Sequence, residues 1–352
     1  MAINENKVEA SYFGETSFGS AYLYTLKNTN GIQIKISNYG GIITNLECPD
    51  RYGNSDDIVL GFDNLSSYLD EHPYLGCIIG RNGNRIAEGK FKIKNQSFQL
   101  EKNANNNHNL HGGIEGFHRK LWKPKLIDQG IELTYLSKSG EEGFPGNLKV
   151  KVTYQLNNTN EFRIDYQATT DQPTICNMTN HSYFNLAGES NGNILEHELQ
   201  IHSKYYTATD QDLIPTGQLI EVANSPFDFR KFKAIGKDID DDFEALKYGR
   251  GYDHNFVLDK EENTLDQVAI LKEPISGRVM HVLTTEPGMQ LYTANTLEIA
   301  HGKAGRSYTN RCALCLETQH FPDAPNQSDF PSIILYPEDI YKSTTIYYFT
   351  VD

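Results

Sequence analysis

Apolar and polar residues alternate along many short stretches of this chain. A period of two places every second side chain on the same face, which is typical of antiparallel strands with one buried face. The stretches with this pattern are residues 32–49, 91–100, 130–137, 148–156, 161–169, 195–203, 278–285, 288–295 and 344–351. The pattern predicts a mainly β protein whose antiparallel sheets pack face to face.

Residues typical of turns separate the predicted strands. They lie at residues 50–54 (DRYGN), 139–140 (SG), 145–147 (PGN) and 157–160 (NNTN). A helical pattern is scarce, and the best candidate for a short helix is residues 237–249 (KDIDDDFEALKYG). The 352 residues contain no proline- or serine-rich linker and no repeat of fixed period. We therefore expect residues 1–352 to form a single large β domain.

The charge of the chain argues against some classes of partner. It has 46 acidic and 32 basic side chains and a formal net charge of -14, whereas surfaces that bind nucleic acids or anionic membranes need clustered lysine and arginine. The first residues are polar, and no apolar run approaches the length that crosses a bilayer. We expect a cytoplasmic protein with a small-molecule partner, and neither nucleic acid nor membrane binding.

The five cysteines do not form a disulfide framework, because their number is odd and they are spread thinly. Cys312 and Cys315 have the C-x-x-C spacing of redox sites. The segment CALCLETQ that contains them has the pattern of a strand, in which positions three apart point to opposite faces. We interpret both residues as small, buried apolar side chains.

Histidines stand out in two stretches of polar sequence. In residues 179–188 (TNHSYFNLAG), an extended chain puts His181, Tyr183 and Asn185 on one face, which has the composition of a polar cleft. The alternative is a surface strand with one face in water. His111 precedes two glycines in the Asn-rich residues 101–113, which we predict to be a long loop, and these glycines allow the backbone to approach a ligand closely.

Charged residues stand out in three further stretches. Arg81 and Arg85 lie in residues 80–91 (GRNGNRIAEGKF), for which the alternative interpretation is a tight turn with surface arginines. Asp253 directly precedes a predicted strand. Glu317 interrupts an apolar strand, where a carboxylate is costly unless it is paired or faces a wet cavity. Glu317 is therefore either half of a buried ion pair, with an arginine as its partner, or part of a site.

These side chains can exchange protons and bind hydroxyl groups. A metal site would have to be assembled from single residues far apart in the chain, because the spacings H-x-H and H-E-x-x-H are absent. A phosphate-binding glycine loop is also absent. We expect no metal, nucleotide or other cofactor.

Several of these stretches, in this order, resemble the galactose mutarotase (aldose 1-epimerase) family. They are GRNGNRIAEGKF, LHGGIEGFHRKLW, TNHSYFNLAG with GYDHNFVL, and CLETQHFPDAPNQ. The resemblance spans most of the chain. It implies a large antiparallel β-sandwich with an open carbohydrate cleft, and a cofactor-free interconversion of the α- and β-anomers of a free aldohexose such as galactose or glucose.

The resemblance also implies roles for individual residues. Glu317 would be the general base, His181 the general acid, and His111 a group near the reacting end of the sugar. The side chains implied to hold sugar hydroxyls are Asn84, Arg85, Asp253 and Gln290. The chain departs from the family at Gly83, where alanine is more frequent, and at His108, where asparagine is usual. We expect the first departure to be harmless and the second to bear on loop contacts and sugar preference.

The chemistry of mutarotation explains these residue types independently. A cyclic hemiacetal loses the proton of its anomeric hydroxyl and gains one on its ring oxygen, so one base and one acid suffice, each contributing ~10²–10⁴-fold. We expect an ionised Glu317 and a charged His181, whose mutual attraction moves their pKa values apart. The residues that either contact sugar C–H groups or lie in the core are Tyr183, Phe321 and Trp122.

Two other functions fit part of the pattern. A non-catalytic carbohydrate-binding sandwich would need the residues that hold hydroxyls but not a base at Glu317. A glycoside hydrolase would need two acid-base groups, but most such enzymes use a pair of Asp or Glu side chains, whereas the pair here is His181 and Glu317.

Overall fold

Antiparallel strands dominate the computed structural model, which describes residues 8–104 and 107–352. Numbered along the chain, the strands of the first sheet are β1 (Glu9–Thr16), β2 (Gly19–Lys27), β3 (Gln33–Ser37), β4 (Ile43–Pro49) and β5 (Ser55–Asp57). Each pairs with the next, and buried and half-buried residues alternate along β4. This alternation is the one that the sequence pattern predicts for residues 32–49.

The second sheet has nine strands within the described part of the chain. In spatial order they are β11 (Lys123–Ile127), β12 (Gly130–Ser137), β13 (Leu148–Leu156), β14 (Glu161–Thr170), β27 (Tyr341–Val351), β23 (Arg278–Thr284), β22 (Asp266–Lys272), β17 (Glu198–Ile201) and β20 (Lys233–Ala234). Every second residue of β14 is buried. Most of the stretches predicted from alternation lie in this sheet, and the four predicted turns lie between elements as expected.

The third sheet brings the polar residues of three strands together. Its strands, in spatial order, are β19 (Pro215–Glu221), β18 (Ser203–Thr209), β21 (Asp253–Leu258), β24 (Gly288–Tyr292) and β25 (Cys315–Gln319). Gln290 of β24 lies directly opposite Asn255 on one side and Glu317 on the other. Because directly opposed residues of antiparallel strands point to the same face, this register forms a polar row across the sheet.

Short elements connect the three sheets. Two-residue and four-residue ladders are formed by β6 (Ile78–Ile79) with β16 (Thr179–Asn180), β7 (Arg85–Ile86) with β10 (Asn109–Leu110), β8 (Lys90–Ile93) with β9 (Gln96–Gln99), and β15 (Thr174–Ile175) with β26 (Ile334–Leu335). The α-helices are α1 (Leu65–Leu69) and α2 (Glu244–Gly249). Single 3₁₀ turns lie at Ala87–Gly89, Phe117–Arg119, Glu141–Gly143, Ile235–Lys237, Lys303–Gly305 and Ala324–Asn326.

The helix predicted at residues 237–249 is shorter than expected, because α2 covers only its second half. In the part of the chain that the structure describes, no helix combines the length and the apolar character needed to cross a membrane.

One buried core is shared by the three large sheets. It includes Ile36 and Leu46 of the first sheet, Val150 and Ile164 of the second, and Met289 and Leu316 of the third. Burial of each large aliphatic side chain contributes about 1.5–3 kcal/mol, which holds the sheets face to face. The fold is therefore the large antiparallel β-sandwich that the sequence predicts, and the shared core supports the proposal that the chain is one domain.

All five cysteines are buried and unpaired. This confirms the interpretation of Cys312 and Cys315 as buried small residues. The strand predicted to begin at Cys312 begins at Cys315 instead, because Cys312 lies in a turn whose backbone N–H donates to Thr309. The strand that carries Glu317 is thus shorter than predicted.

Candidate active site

An open pocket of about 300 Å³ lies against β21, β24 and β25. It is lined by six of the seven residues selected from the sequence, namely Asn84, Arg85, His111, His181, Asp253 and Glu317. The seventh, Gln290, is buried beside the pocket, where its Nε2 donates to Oδ1 of Asp253 at 2.6 Å. The fold therefore gathers residues from distant parts of the chain into one site.

Residues 179–188 form a strand only at their start. Thr179–Asn180 is β16, and the chain then runs irregularly, with the His181 N–H donating to Cys77 and the Phe184 N–H to Leu314. Only 4% of His181 is exposed, so the alternative of a surface strand in water is wrong. Strict alternation through residue 188 is also wrong, although His181 and Tyr183 do line the pocket.

Asn185, predicted to face the same cleft, is buried elsewhere. Its side chain donates to the carbonyl of Cys312 at 3.0 Å and its Oδ1 accepts from the N–H of Ala187 at 3.0 Å. These bonds hold the turn that follows the segment, so Asn185 stabilises the fold and does not line the pocket.

Glu317 points from the middle of β25 toward His181. Its Oε1 lies 3.6 Å from Nε2 of His181, and the two side chains are 2% and 5% exposed. The second oxygen, Oε2, has no hydrogen-bond partner among the described residues. Arg85, which lines the pocket, pairs with Asp253 instead, with Nη2 3.8 Å from Oδ2. The alternative that Glu317 is half of an ion pair with an arginine is therefore wrong.

Burial controls the protonation of this pair. Loss of solvation raises the pKa of the Glu317 carboxyl well above its ordinary value; nearby Asp253 raises it further and Arg85 opposes this. Burial lowers the pKa of His181 to about 4. The expectation that mutual attraction lowers the pKa of Glu317 and raises that of His181 is thus wrong. The desolvation of both groups outweighs their attraction, so burial favours the neutral form of each.

His111 is fixed as a hydrogen-bond donor. Its Nδ1 accepts from the backbone N–H of Asn84 at 3.2 Å, which places the ring proton on Nε2. Burial, together with the charges of His181 and Arg85, lowers the pKa of His111 well below its ordinary value. A Cβ at Gly112, whose φ is +84°, would lie 2.0 Å from the carbonyl oxygen of Gly80. The glycine therefore allows the close backbone approach that positions His111.

Three residues of the pocket are of types that bind transition metals. His111, His181 and Glu317 each offer one potential ligand atom, and these three atoms lie within 4.8 Å of one another. In His111, however, Nδ1 accepts from Asn84 and Nε2 carries the proton, so neither nitrogen offers a free lone pair. The residues present therefore fit a metal ion poorly.

Arg85, Asp253 and Gln290 form a connected polar group on one side of the pocket. Asp253 accepts from Gln290 and lies against Arg85. Burial raises the pKa of Asp253, and both Arg85 and the hydrogen bond from Gln290 oppose this. The side chain of Asn84 accepts from the N–H of Arg85 at 2.8 Å. The group presents charged and amide atoms suited to hydroxyl groups.

Sequence reasoning missed several residues that line the pocket. They are Pro73, Tyr74, Leu110, Leu213, Tyr248, Gly249, Arg250, Tyr292, Asn295 and Thr296. Tyr292 was recoverable from the sequence, because it lies two positions from Gln290 on the same strand face. Tyr74 lies in a loop without a pattern. Of the aromatic candidates for sugar contact, Tyr183 lines the pocket, whereas Trp122 and Phe321 lie in the core.

Arg81 is a structural residue. It is 1% exposed, its Nε donates to Oγ of Ser137 at 2.9 Å, and its other nitrogens donate to the carbonyls of Ser137, Lys138 and Pro145. The alternative of surface arginines in this segment is wrong, because Arg81 holds neighbouring loops together from inside the fold.

His108 does not line the pocket, but it lies near Asp212, the chain neighbour of a lining residue. Its Nδ1 accepts from the N–H of Glu88 at 3.1 Å, and its Nε2 lies 3.7 Å from Oδ2 of Asp212. Asp212 directly precedes Leu213, which lines the pocket. The described part of the Asn-rich stretch around His108 is mostly loop, as predicted, with the exception of β10. Residues 105–106 lie outside the described residues.

We expect Gly83→Ala to change the stability by no more than about 1 kcal/mol. A Cβ at Gly83 would lie 2.9 Å from Oε1 of Gln319 and 3.3 Å from Cγ2 of Thr179. Oε1 of Gln319 lacks a hydrogen-bond partner among the described residues and ends a flexible side chain, so it can move away. Urea unfolding of both proteins checks this, and a loss above ~3 kcal/mol would show that Gln319 is rigidly held.

The chain is similar to known proteins along nearly its whole length. The sequence model of the family described as Aldose 1-epimerase matches residues 22–348. The galactose mutarotases of Homo sapiens and Sus scrofa are 42% and 41% identical to it over 346 residues, which cover 98% of this chain and 99% of each relative. The aldose 1-epimerase of Escherichia coli (strain K12) is 34% identical over 335 residues, which cover 94% of this chain and 95% of the relative.

Solved structures show the same fold. Galactose 1-epimerase from Lactobacillus acidophilus NCFM matches with a TM-score of 0.86 and 27% identity, over 98% of this chain and 99% of that one. An aldose epimerase homologue from C. elegans matches with a TM-score of 0.86 and 26% identity, over 97% of this chain and 99% of that one. The similarity therefore includes the sheets that form the pocket.

Proposed function

Because this chain belongs to the aldose 1-epimerase family, we propose that Glu317 and His181 carry out the proton transfers of that family's reaction. The chain is an aldose 1-epimerase, a mutarotase that interconverts the α- and β-anomers of free aldoses. The observation that supports the assignment of the two residues is geometric: a carboxyl and an imidazole lie 3.6 Å apart in an open pocket.

The pair needs to hold only one proton in total. In ring opening, ionised Glu317 takes the proton of the anomeric hydroxyl while the His181 imidazolium gives one to the ring oxygen, which leaves both groups neutral. Reclosure on either face of the rotated aldehyde returns both protons. The neutral pair that follows opening is also the form that burial favours.

The direction of the two pKa shifts suits this cycle. A raised pKa makes the Glu317 carboxylate a stronger base, and a lowered pKa makes the His181 imidazolium a stronger acid. The same burial makes the charged pair costly. His111, neutral with a proton on Nε2, is proposed to donate a hydrogen bond at the reacting end of the sugar.

The hydroxyl-binding group is proposed to comprise Asn84, Arg85, Asp253 and Gln290. We expect Arg85→Ala and Asp253→Ala each to raise KM at least as much as they lower kcat, with a KM increase of about 10-fold or more, because hydrogen bonds to charged groups contribute about 1.5–3 kcal/mol. Both interactions are present in the ground state and the transition state alike. Initial-rate polarimetry over a range of sugar concentrations measures both constants.

A wild-type KM with a reduced kcat in either folded variant would contradict the binding role. Because Arg85 and Asp253 form an ion pair 3.8 Å long, removal of one partner leaves the other charge unpaired in a pocket. Circular dichroism of each variant therefore accompanies the kinetics, and the double variant shows whether the two effects are coupled.

The substrate and the location are proposed as follows. The substrate is a free aldohexose such as galactose or glucose, which the names of the relatives support. The location is cytoplasmic, which the five unpaired cysteine thiols support, because thiols persist in reducing compartments.

Polarimetry on freshly dissolved α-galactose and α-glucose tests the function. We expect the protein to accelerate the approach of optical rotation to equilibrium, and we expect no release of reducing sugar from a galactoside or glucoside. Sugar binding without acceleration would indicate the non-catalytic binding protein, and release of reducing sugar would indicate the hydrolase. Either result would overturn the proposed reaction.

A further inference from the structure

The second nitrogen of the His181 ring faces a thiol. Sγ of Cys315 lies 3.5 Å from Nδ1 of His181, and the two residues are 0% and 4% exposed. Cys315 lies on β25 two residues before Glu317, so both side chains point to the same face of the strand. One strand therefore presents a thiol to Nδ1 and a carboxyl to Nε2 of the same ring.

The thiol remains neutral at the pH of the reaction. Burial raises the pKa of Cys315 well above its ordinary value, and the nearby carboxyls of Glu317 and Asp253 raise it further. A neutral thiol is a weak hydrogen-bond donor and a weak acceptor. A carboxylate at this place would stabilise the imidazolium and make it a weaker acid.

The ring of His181 is also fixed in orientation. Ring centroids of Tyr183 and Tyr74 lie 5.0 and 5.9 Å from that of His181, and His111 approaches it edge-on at 5.0 Å. The titratable groups that face the ring or lie close behind it are Cys315, Glu317, Tyr292, Tyr183, Tyr74, His111 and His72. Among them, Cys315 is the hydrogen-bond partner that the structure gives to Nδ1.

We propose that Cys315 is a positioning residue for His181: its sulfur accepts a hydrogen bond from Nδ1–H, which keeps that proton in place and leaves Nε2 as the nitrogen that exchanges a proton, and the bond is weak enough to keep the imidazolium a strong acid. This inference rests on the proposed role of His181. In ring opening the Nε2–H bond breaks and its proton goes to the ring oxygen, which takes the electron pair of its bond to the anomeric carbon. Glu317 takes the hydroxyl proton, and the Nδ1–H bond stays intact throughout.

Three substitutions in the full-length protein test the proposal. Cys315→Ala removes the acceptor, and we expect kcat to fall by about 10-fold with KM unchanged, because His181 then divides between two tautomers. Cys315→Asn supplies a stronger acceptor of similar size, and we expect the pKa of His181 to rise. Cys312→Ala is the matched control, because Cys312 is also buried and lies three residues earlier, outside the pocket lining.

Nitrogen-15 NMR of His181 across a pH titration measures its tautomer and its pKa directly, alongside polarimetric kcat and KM. We expect wild type and Cys312→Ala to show the neutral ring protonated on Nδ1. A folded Cys315→Ala protein in which His181 keeps the wild-type tautomer and kcat/KM keeps the wild-type dependence on pH would overturn the proposal. If the alanine variant does not fold, Cys315→Val replaces it, because valine fills the space without supplying an acceptor, and we expect it also to lose the preference for the Nδ1 proton.

The NMR readout separates this proposal from the proposed function. If the wild-type protein failed to accelerate mutarotation, the catalytic assignment of His181 would be lost, while the tautomer of His181 in wild type and Cys315→Ala would still decide what Cys315 does. A loss of activity in Cys315→Ala without any change at His181 would assign Cys315 to packing and overturn the inference.

Discussion

Glu317→Gln is expected to lower kcat by at least ~10²-fold in a protein that still folds and still binds sugar. The amide keeps nearly the shape of the carboxyl but does not accept the proton of the anomeric hydroxyl. Polarimetric kcat and KM, with sugar binding measured by calorimetry, test this. A folded Glu317→Gln protein that mutarotates at a rate near that of wild type would contradict the mechanism.

The same substitution is expected to stabilise the fold at neutral pH. The pKa of Glu317 is raised in the folded protein above its ordinary value of 4.5, so its contribution to stability is fully present below pH ~4.5 and is lost as the pH rises toward the folded pKa. Glutamine does not titrate and does not suffer this loss. The stability difference between variant and wild type should therefore be small at pH 4.5 and grow toward pH 8.

Glu286→Gln is the matched control for this stability measurement. Glu286 is also buried, but its Oε2 lies 2.6 Å from Nδ1 of His320 and its other oxygen accepts from Tyr341. Although burial alone would raise the pKa of Glu286, these partners lower it. The ionised Glu286 therefore stabilises the folded protein at pH values above the pKa that this carboxyl has in the unfolded chain. Glu286→Gln should thus destabilise the protein at neutral pH. Urea unfolding of both variants distinguishes a carboxyl held for catalysis from one held by partners.

The sheets of this protein could be predicted from its sequence because burial alternates on one face of each strand. Residues 161–169 are an example, since every second residue of β14 contacts the core. Residues 179–188 were predicted as one strand and are not. Phe184 forms backbone bridges with both Val59 and Leu314, so its pairing partners come from separate segments and no alternation within the stretch could reveal them.

Six residues that line the pocket were predicted from the sequence, but the direction of the pKa shifts of Glu317 and His181 was not. The face shared by Cys315 and Glu317 follows from strand geometry, and the contacts of both side chains with the ring of His181 agree with it. The pKa shifts of Glu317 and His181 depend on how completely the fold excludes water from both. Ordinary pKa values and mutual attraction predicted a pKa of Glu317 below that of His181. Burial reverses this order, and burial is a property of the assembled sheets.

The contacts made by Cys315 and Tyr74 could not be predicted from the sequence either. Cys315 could be placed beside Glu317 on a strand face, but its contact with His181 depends on an irregular segment from elsewhere in the chain. Tyr74 has a left-handed backbone with a φ of 58° in a loop, which no periodic pattern indicates. A pocket residue such as Tyr74 is therefore found only after the fold is known.

His181→Asn is expected to lower kcat by at least ~10²-fold and to change the pH dependence in a specific way. In wild type, kcat/KM should follow a bell. The acid limb should lie near pH 4, where His181 becomes protonated while Glu317 is still protonated, so that the pair holds two protons. The alkaline limb should lie well above pH 4.5, where Glu317 loses its proton and the pair holds none. Between the limbs the pair holds the single proton that the reaction needs.

The pH at which kcat/KM rises in His181→Asn reports the titration of Glu317 alone. No second group of the pair supplies a proton in this variant, so turnover requires only an ionised Glu317 and the alkaline limb should disappear. Because the pKa of Glu317 is raised, we expect this rise well above pH 4.5, the ordinary pKa of a glutamate, and not near it. The limbs of wild type belong to the coupled pair, and the variant separates them because one member no longer titrates. Circular dichroism at each pH excludes unfolding as the cause of either limb. A folded His181→Asn protein whose kcat/KM rose near pH 4.5 would show that Glu317 titrates at its ordinary pKa, and the inverted protonation of Glu317 and His181 would then be wrong.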